Sequence, residues 1–246
     1  MKPVQTEEEF LQGYDPKEFD RPSATVDTVI FTVIDETLRV LLIKRDEHPF
    51  QSRWSLVGGF IDINKDRDVE ATALRKLWEK TGVKTPYLEQ FGTIGNKKRD
   101  PRGWSLTTVY FALIQSDGLL LKQGEGASAI KWAEIEQGRV KDKLAFDHAE
   151  ILAACAERLR SKTLYSSLPL HLMPPLFTLG ELQKVYEIIL GSKLEHKSFR
   201  RRILSAGVVE ETEEYRHEAK RPALLYRARA GHWSHFFVRN IEGAAN

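Results

Sequence analysis

From Gly58 to Val83 the chain reads GGFIDINKDRDVEATALRKLWEKTGV: a glycine pair leads through a loop into a helix that carries Arg75, Lys76, Glu79 and Lys80 and closes on Thr81 and Gly82. Offsets of three and four place positions 76, 79 and 80 on one face of that helix. A hard divalent cation needs clustered oxygen ligands and negative charge. This face instead carries two lysines and one glutamate, a net charge of +1, which favours a phosphate without a metal. Glu70 lies nine residues before Glu79, on the opposite face of a continuous helix at roughly 100° per residue. Asp62, Asp66 and Asp68 precede the helix on the loop, so no metal site is expected. Arg45, at the end of LRVLLIKR, and Arg99 and Arg102, in KKRDPRGW, are further candidates for a phosphate, because a guanidinium meets phosphate oxygens bidentately.

These residues need strands and helices to bring them together. ATVDTVIFTVI, the polar break Asp35-Glu36-Thr37 and LRVLLIKR predict a strand pair, and SLTTVYFALI predicts another strand after the polar loop. Helical spacing of Val69, Ala73 and Leu77 predicts a helix over 68–80, with Trp78 read as packing. Ile151, Leu152, Cys155 and Leu159 predict a second over 147–160, begun by Asp147 and Glu150 as a capping box. Residues 1–160 therefore form a mixed α/β unit.

The rest of the composition limits the reading. Apolar residues make up 41% and charged residues 29% of 246 residues, and no apolar run approaches the roughly 18 to 20 needed to cross a bilayer. The acidic start MKPVQTEEEFLQGYD lacks the pattern of a secretory signal. The single cysteine, Cys155, reads as a buried apolar residue, and a cytoplasmic location fits. Residues 161–176, SKTLYSSLPLHLMPPL, hold three prolines and three serines and mark a packed connector between two domains.

Beyond it, Thr178 and Glu181 form a capping box and Phe177 and Leu182 a hydrophobic staple for a helix ending at Gly191. A second helix, EHKSFRRRILSAG, would bury Phe199, Ile203 and Ala206 and turn Lys197, Ser198 and Arg201 outward, flanked by Arg200 and Arg202. VVEETEEYR and ALLYRARA then make a hairpin with Lys220 and Arg221 at its tip. Helix, turn, helix and hairpin over 177–246 describe a winged helix. Its stretch 193–202 has five basic residues against one acid, a footprint for a phosphate backbone. Thr178, Lys193, Lys197, Ser198, Arg200, Arg201, Arg202, Lys220 and Arg221 are the candidate DNA contacts. The C-terminal run ALLYRARAGHWSHFFVRN is aromatic enough for core or interface.

The run Arg75 to Gly82 resembles the Nudix box, with Lys76 and Lys80 standing where that family has glutamates and a Gly59 to Gly82 interval two residues longer than its spacing. RWSLVGGF, ALRKLWEKTG, RDPRGW, VYFAL and KSFRRRIL together make the chain similar to the Nudix-related regulators of NAD metabolism called NrtR. The resemblance implies an α/β/α Nudix sandwich with a smaller winged helix-turn-helix domain. It implies a repressor whose homodimer binds an inverted repeat in double-stranded DNA near NAD-synthesis or salvage genes and is released by ADP-ribose. Arg45, Gly58, Gly59, Phe60, Arg75, Glu79, Arg99 and Arg102 are the expected effector contacts, with no cofactor, no metal and no catalytic residue. The alternative is a magnesium-dependent hydrolase of ADP-ribose with an accessory domain.

Overall fold

The computed structural model describes residues 6–83, 87–116, 121, 126–217, 222–231, 235–238 and 240–241. An N-terminal arm carries α1 (Glu7–Gly13), capped by Thr6 and Glu9, with no buried residue. The N-terminal unit is built on a seven-stranded sheet: β1 (Ser23–Ile34), β2 (Thr37–Arg45), β3 (Trp54–Ser55), β4 (Val57–Phe60), β5 (Tyr87–Asn96), β6 (Ser105–Leu113) and β7 (Ala127–Glu134). β1 and β2 form the expected hairpin, turning at Asp35 and Glu36, both at positive φ (49° and 56°). That is the two-residue turn whose twist suits adjoining strands.

β1 organises the sheet. β6 runs parallel along one of its edges, from Ser23 opposite Ser105 to Phe31 opposite Leu113. On the other edge β2 pairs with Phe31 to Ile34 and β4 with Thr25 to Thr28. Alternation of side chains along a strand sends successive residues to opposite faces, and the core divides accordingly. Val29, Phe31, Val40, Leu42, Val109 and Phe111 pack on one face with Ile151, Leu152, Cys155 and Leu159 of α3 (His148–Tyr165). Ile30, Leu41, Ile43, Val57 and Ala112 pack on the other with Leu77 of α2 (Val69–Thr81). The result is the α/β/α sandwich.

α2 starts at Asp68, whose carboxylate accepts the Ala71 N–H, and stops at Gly82 with φ 68°. Trp78 does not pack into the core as expected: it is 54% exposed, because Ala73 and Leu77 define the buried side and Trp78 projects away from it. α3 departs from expectation twice. It runs to Tyr165, so the first residues of the expected connector are helical. Its N-cap is Asp147, yet no side-chain cap bond exists; the carboxylate goes instead to Arg99. The remaining connector forms a 3-10 turn, Leu168–Leu172, buried throughout.

α4 (Leu179–Leu190) has the anticipated capping box, with the Thr178 N–H bound to Glu181 at 2.7 Å, and ends at Gly191 with φ 71°. α5 (His196–Ser205) is capped by Glu195, whose carboxylate accepts from Lys197 N and Ser198 N. Phe199 and Ile203 are buried on its inner side, and Ala206 is half-buried just past its end. β8 (Val209–Arg216) and β9 (Ala223–Ala228) complete the hairpin, and the backbone of Tyr226 pairs with that of Phe177. Tyr186, Phe199 and Tyr226 belong to the same buried cluster as Phe31, Phe111 and Leu159, so the two units share one core. Past β9, the Phe237 N–H donates to the Tyr165 carbonyl at the end of α3 at 2.7 Å, with Ile241 buried and Phe236 exposed.

Candidate functional site

The divergence of β2 from β4 at the edge of β1 opens a cleft of about 270 Å³. Gly58 faces Asp27 across the β1–β4 ladder, and a Cβ there would lie 2.3 Å from Asp27 Oδ1 and 2.4 Å from the Val26 carbonyl oxygen. Only glycine fits. Lys76 of α2 lays its aliphatic stem over Gly59, 3.0 Å from where a Cβ would stand. Arg45, Gly58, Gly59, Phe60, Arg99 and Arg102 all line this cleft, together with Lys76, Lys80, Asp27, Asp100, Phe146 and His148.

Arg75 and Glu79 do not line it; they border a neighbouring groove with Asp62 and Lys65. Arg75 Nε donates to Asp66 Oδ1 at 2.6 Å, and Asp66 also accepts from Thr72 Oγ1 and the Asp62 N–H. The hydrogen bonds from Arg75 hold the Asp66 carboxyl far below the usual range. Arg75 Nη1 reaches both oxygens of Glu79, at 3.1 and 3.0 Å, and Lys76 Nζ reaches Oε2 at 3.2 Å. Burial opposes ionisation of Glu79, but Arg75 and Lys76 outweigh it and keep the carboxyl below its ordinary value. This donor set does not suit a divalent cation: two of its three positions are ammonium groups and the third is already neutralised. Among the described residues no group of three or more His, Cys, Asp or Glu side chains is placed to hold a metal ion.

Cations dominate the cleft wall. Arg45 donates from Nε to the Pro49 carbonyl at 2.8 Å and stacks over Phe146, 5.0 Å from the ring centre. Burial, then the charge of Arg102, lowers its affinity for its own proton. Lys80 is pushed down by burial and then by Lys76 and Arg45. Arg102 is held by Asp100 at 2.7 Å and stacks over Phe60 at 5.1 Å. Like charges drawn together in a partly buried cleft repel one another, and an anion between them relieves that repulsion.

The floor is a separate network. The Arg99 side chain is 5% exposed; it donates to Asp147 at 3.0 and 3.1 Å and to Asp27 at 3.3 Å. His148 Nδ1 accepts the Leu56 N–H at 3.0 Å, leaving Nε2 toward Asp27 Oδ1 at 3.5 Å. Arg99 and Arg102, three residues apart, thus have different surroundings: the first is fastened inside, the second half-exposed at the rim.

In the C-terminal unit, α5 exposes Lys197, Arg200 and Arg201, while Ser198 and Arg202 are half-buried. Arg200 Nη2 touches the Tyr226 hydroxyl at 3.4 Å. Lys193 pairs with Glu187 at 2.7 Å, and the Thr178 hydroxyl is committed to its cap. Lys220 and Arg221 lie outside the described residues. The strand β8 carries Glu210, Glu211, Glu213 and Glu214, so the positive footprint is concentrated on α5.

The NUDIX domain model matches residues 24–155, and the model of the NrtR DNA-binding winged helix domain matches residues 169–228. A relative from Acinetobacter baylyi, described as an ADPR responsive transcriptional repressor NtrR, is 48% identical over 237 residues, 96% of this chain and 94% of its own. The chain belongs to the NrtR family. Shewanella oneidensis NrtR complexed with a 27mer DNA superposes with a TM-score of 0.81 at 44% identity, over 88% of this chain and 98% of that one. The NUDIX domain of the same NrtR complexed with ADP ribose matches at TM-score 0.57 and 44% identity, over 63% of this chain and 99% of that one.

Within this NrtR-family chain, Asp27, Phe146 and His148 line the cleft without having been singled out by sequence. Asp27 left a signal: it is a lone acid inside ATVDTVIF, and a carboxylate in an apolar strand needs a partner. Phe146 left none; its φ of 52°, unusual for a bulky side chain, is set by tertiary structure.

Proposed function

We propose that this protein is a DNA-binding transcriptional repressor whose Nudix domain binds ADP-ribose as an effector and then releases operator DNA. The observation that carries the reading is the cleft itself, where Arg45, Lys76, Lys80 and Arg102 converge around glycine backbone, with Lys76 and Lys80 at metal-binding positions of the Nudix box. Such a cleft receives a diphosphate and has no evident means of hydrolysing it. The exposed cations of α5 fit a recognition helix at a major groove. The names of the Acinetobacter and Shewanella relatives support the pairing of a repressor with ADP-ribose. On this reading Arg45, Gly58, Gly59, Phe60, Arg99 and Arg102 form the effector cleft, Arg75 and Glu79 brace its outer wall, and Lys197, Ser198, Arg200, Arg201 and Arg202 face DNA. A homodimer reads an inverted repeat near genes of NAD synthesis or salvage, in the cytoplasm. No helix among the described residues is long and apolar enough to cross a membrane.

The test is a mobility shift on DNA from the protein's own promoter neighbourhood, with and without ADP-ribose, followed by recovery of the nucleotide. A shift reversed by ADP-ribose that is recovered intact is expected. Absence of any shift, or magnesium-dependent consumption of the nucleotide, would overturn the reading.

A further inference from the structure

Aspartate is among the preferred residues for starting a helix, because its carboxylate satisfies first-turn N–H groups. Asp147 occupies that position on α3 and makes no such bond. Both of its oxygens accept from Arg99 instead, at 3.0 and 3.1 Å, across 48 residues of sequence. Arg99 lines the floor of the cleft. It belongs to the same loop as Arg102, a loop pinned by Asn96 Oδ1, which accepts from the N–H groups of Lys98 and Arg99.

The far end of α3 is fastened to the DNA-contacting unit. The helix has 18 residues, about 27 Å at 1.5 Å per residue. Near its C-terminus Arg160 Nε donates to the Leu190 carbonyl at the end of α4 at 3.1 Å, and the Tyr186 hydroxyl of α4 donates to the Ser166 carbonyl at 2.8 Å. The Tyr186 ring meets Phe199 edge to face, with centroids 5.2 Å apart, and Phe199 is the buried anchor of α5. The cleft and the recognition helix are therefore joined by a continuous series of polar and packed contacts that runs through α3.

We propose that the Arg99–Asp147 ion pair is the positioning link through which occupancy of the cleft reaches α5. A diphosphate in the cleft competes with Asp147 for the Arg99 guanidinium. Asp147 then has two alternatives, paired with Arg99 or turned onto the N–H groups of Ala149 and Glu150, and each sets a different start for α3. The pair is a positioning device, with Asp147 touching neither ligand. This rests on the reading of the protein as an effector-released repressor.

The experiment measures the dissociation constant of ADP-ribose with and without saturating operator DNA, in the wild type and in Asp147→Asn. Coupling between two sites is reciprocal and amounts to about 5- to 150-fold in typical cases. In the wild type a ratio in that range is expected; in Asp147→Asn it falls to near one while each ligand alone still binds. Asp147→Ser, able to cap but not to pair, behaves in the same way. Retention of the full ratio in both variants overturns the link. A wild-type ratio of one overturns the repressor reading itself, which separates the two failures. Should the variants not fold, hydrogen exchange at Ala149 and Glu150 in the wild type decides: ADP-ribose changes it if the pair is the link, and identical exchange overturns the proposal.

Discussion

Gly58 stands directly opposite Asp27 in the β1–β4 ladder, and its missing side chain is what lets that buried carboxylate turn toward Arg99 and His148. Gly58→Ala forces either the Asp27 side chain or the ladder to move, since a Cβ would sit 2.4 Å from the Val26 carbonyl oxygen. Overpacking of this kind costs about 1–3 kcal/mol or more. The expected outcome is a lower urea midpoint together with weakened ADP-ribose binding, read by denaturation and calorimetry.

Removing charge from the exposed side of α5 separates DNA binding from folding. Lys197 and Arg201 are exposed and distant from Phe199 and Ile203 on the buried side. Lys197→Ala and Arg201→Ala should leave the melting temperature in place. Each should lower the slope of log affinity against log salt by about one. Fluorescence anisotropy across a salt series checks both.

The cleft lysines give a test of charge. A hydrogen bond to a charged group contributes about 1.5–3 kcal/mol, so Lys80→Ala should weaken ADP-ribose binding by roughly ten- to a hundred-fold. Wild-type binding should be unaffected by chelator. Calorimetry with EDTA or magnesium present reads the outcome; an affinity that needs magnesium would contradict the metal-free cleft.

Burial, opposed in part by Asp27 and Asp147, holds the His148 imidazole below its ordinary value of 6.5. The folded protein keeps His148 neutral with Nδ1 accepting from Leu56, whereas the unfolded chain takes up a proton near that value. Its contribution to stability is therefore fully present above about pH 6.5 and is lost as pH falls through the depressed folded value. His148→Gln, which can still accept the Leu56 N–H, should flatten that part of the stability profile. Urea titrations from about pH 8 to 5 compare the two.

Much of this architecture was legible because it is local. Thr178 and Glu181 are three residues apart, and their capping box forms as written. Ile151, Leu152, Cys155 and Leu159 are buried as their spacing requires. Asp147 and Glu150 presented the same signature, and there a residue far along the chain prevailed: Arg99 offers two charge-assisted bonds where the helix offers one or two weaker ones. Arg75 and Glu79 were recognisable as a pair one helical turn apart, but Asp66, which orients Arg75 from the preceding loop, turns that pair outward and away from the cleft. Arg99 and Arg102 could not be told apart in RDPRG, because what separates them is the partner each guanidinium meets: Asp27 and Asp147, remote in sequence, for Arg99, and Asp100 of the same loop for Arg102.

The buried cluster that runs unbroken from Phe31 to Tyr226 has a thermodynamic consequence. Modules sharing one apolar interior melt together, so heating should give a single cooperative transition rather than two. Proteolysis in the connector should liberate no stable C-terminal fragment. The C-terminal unit is thus no detachable cassette: transplanted onto another sensor, it would arrive without the apolar cluster it shares with the sheet.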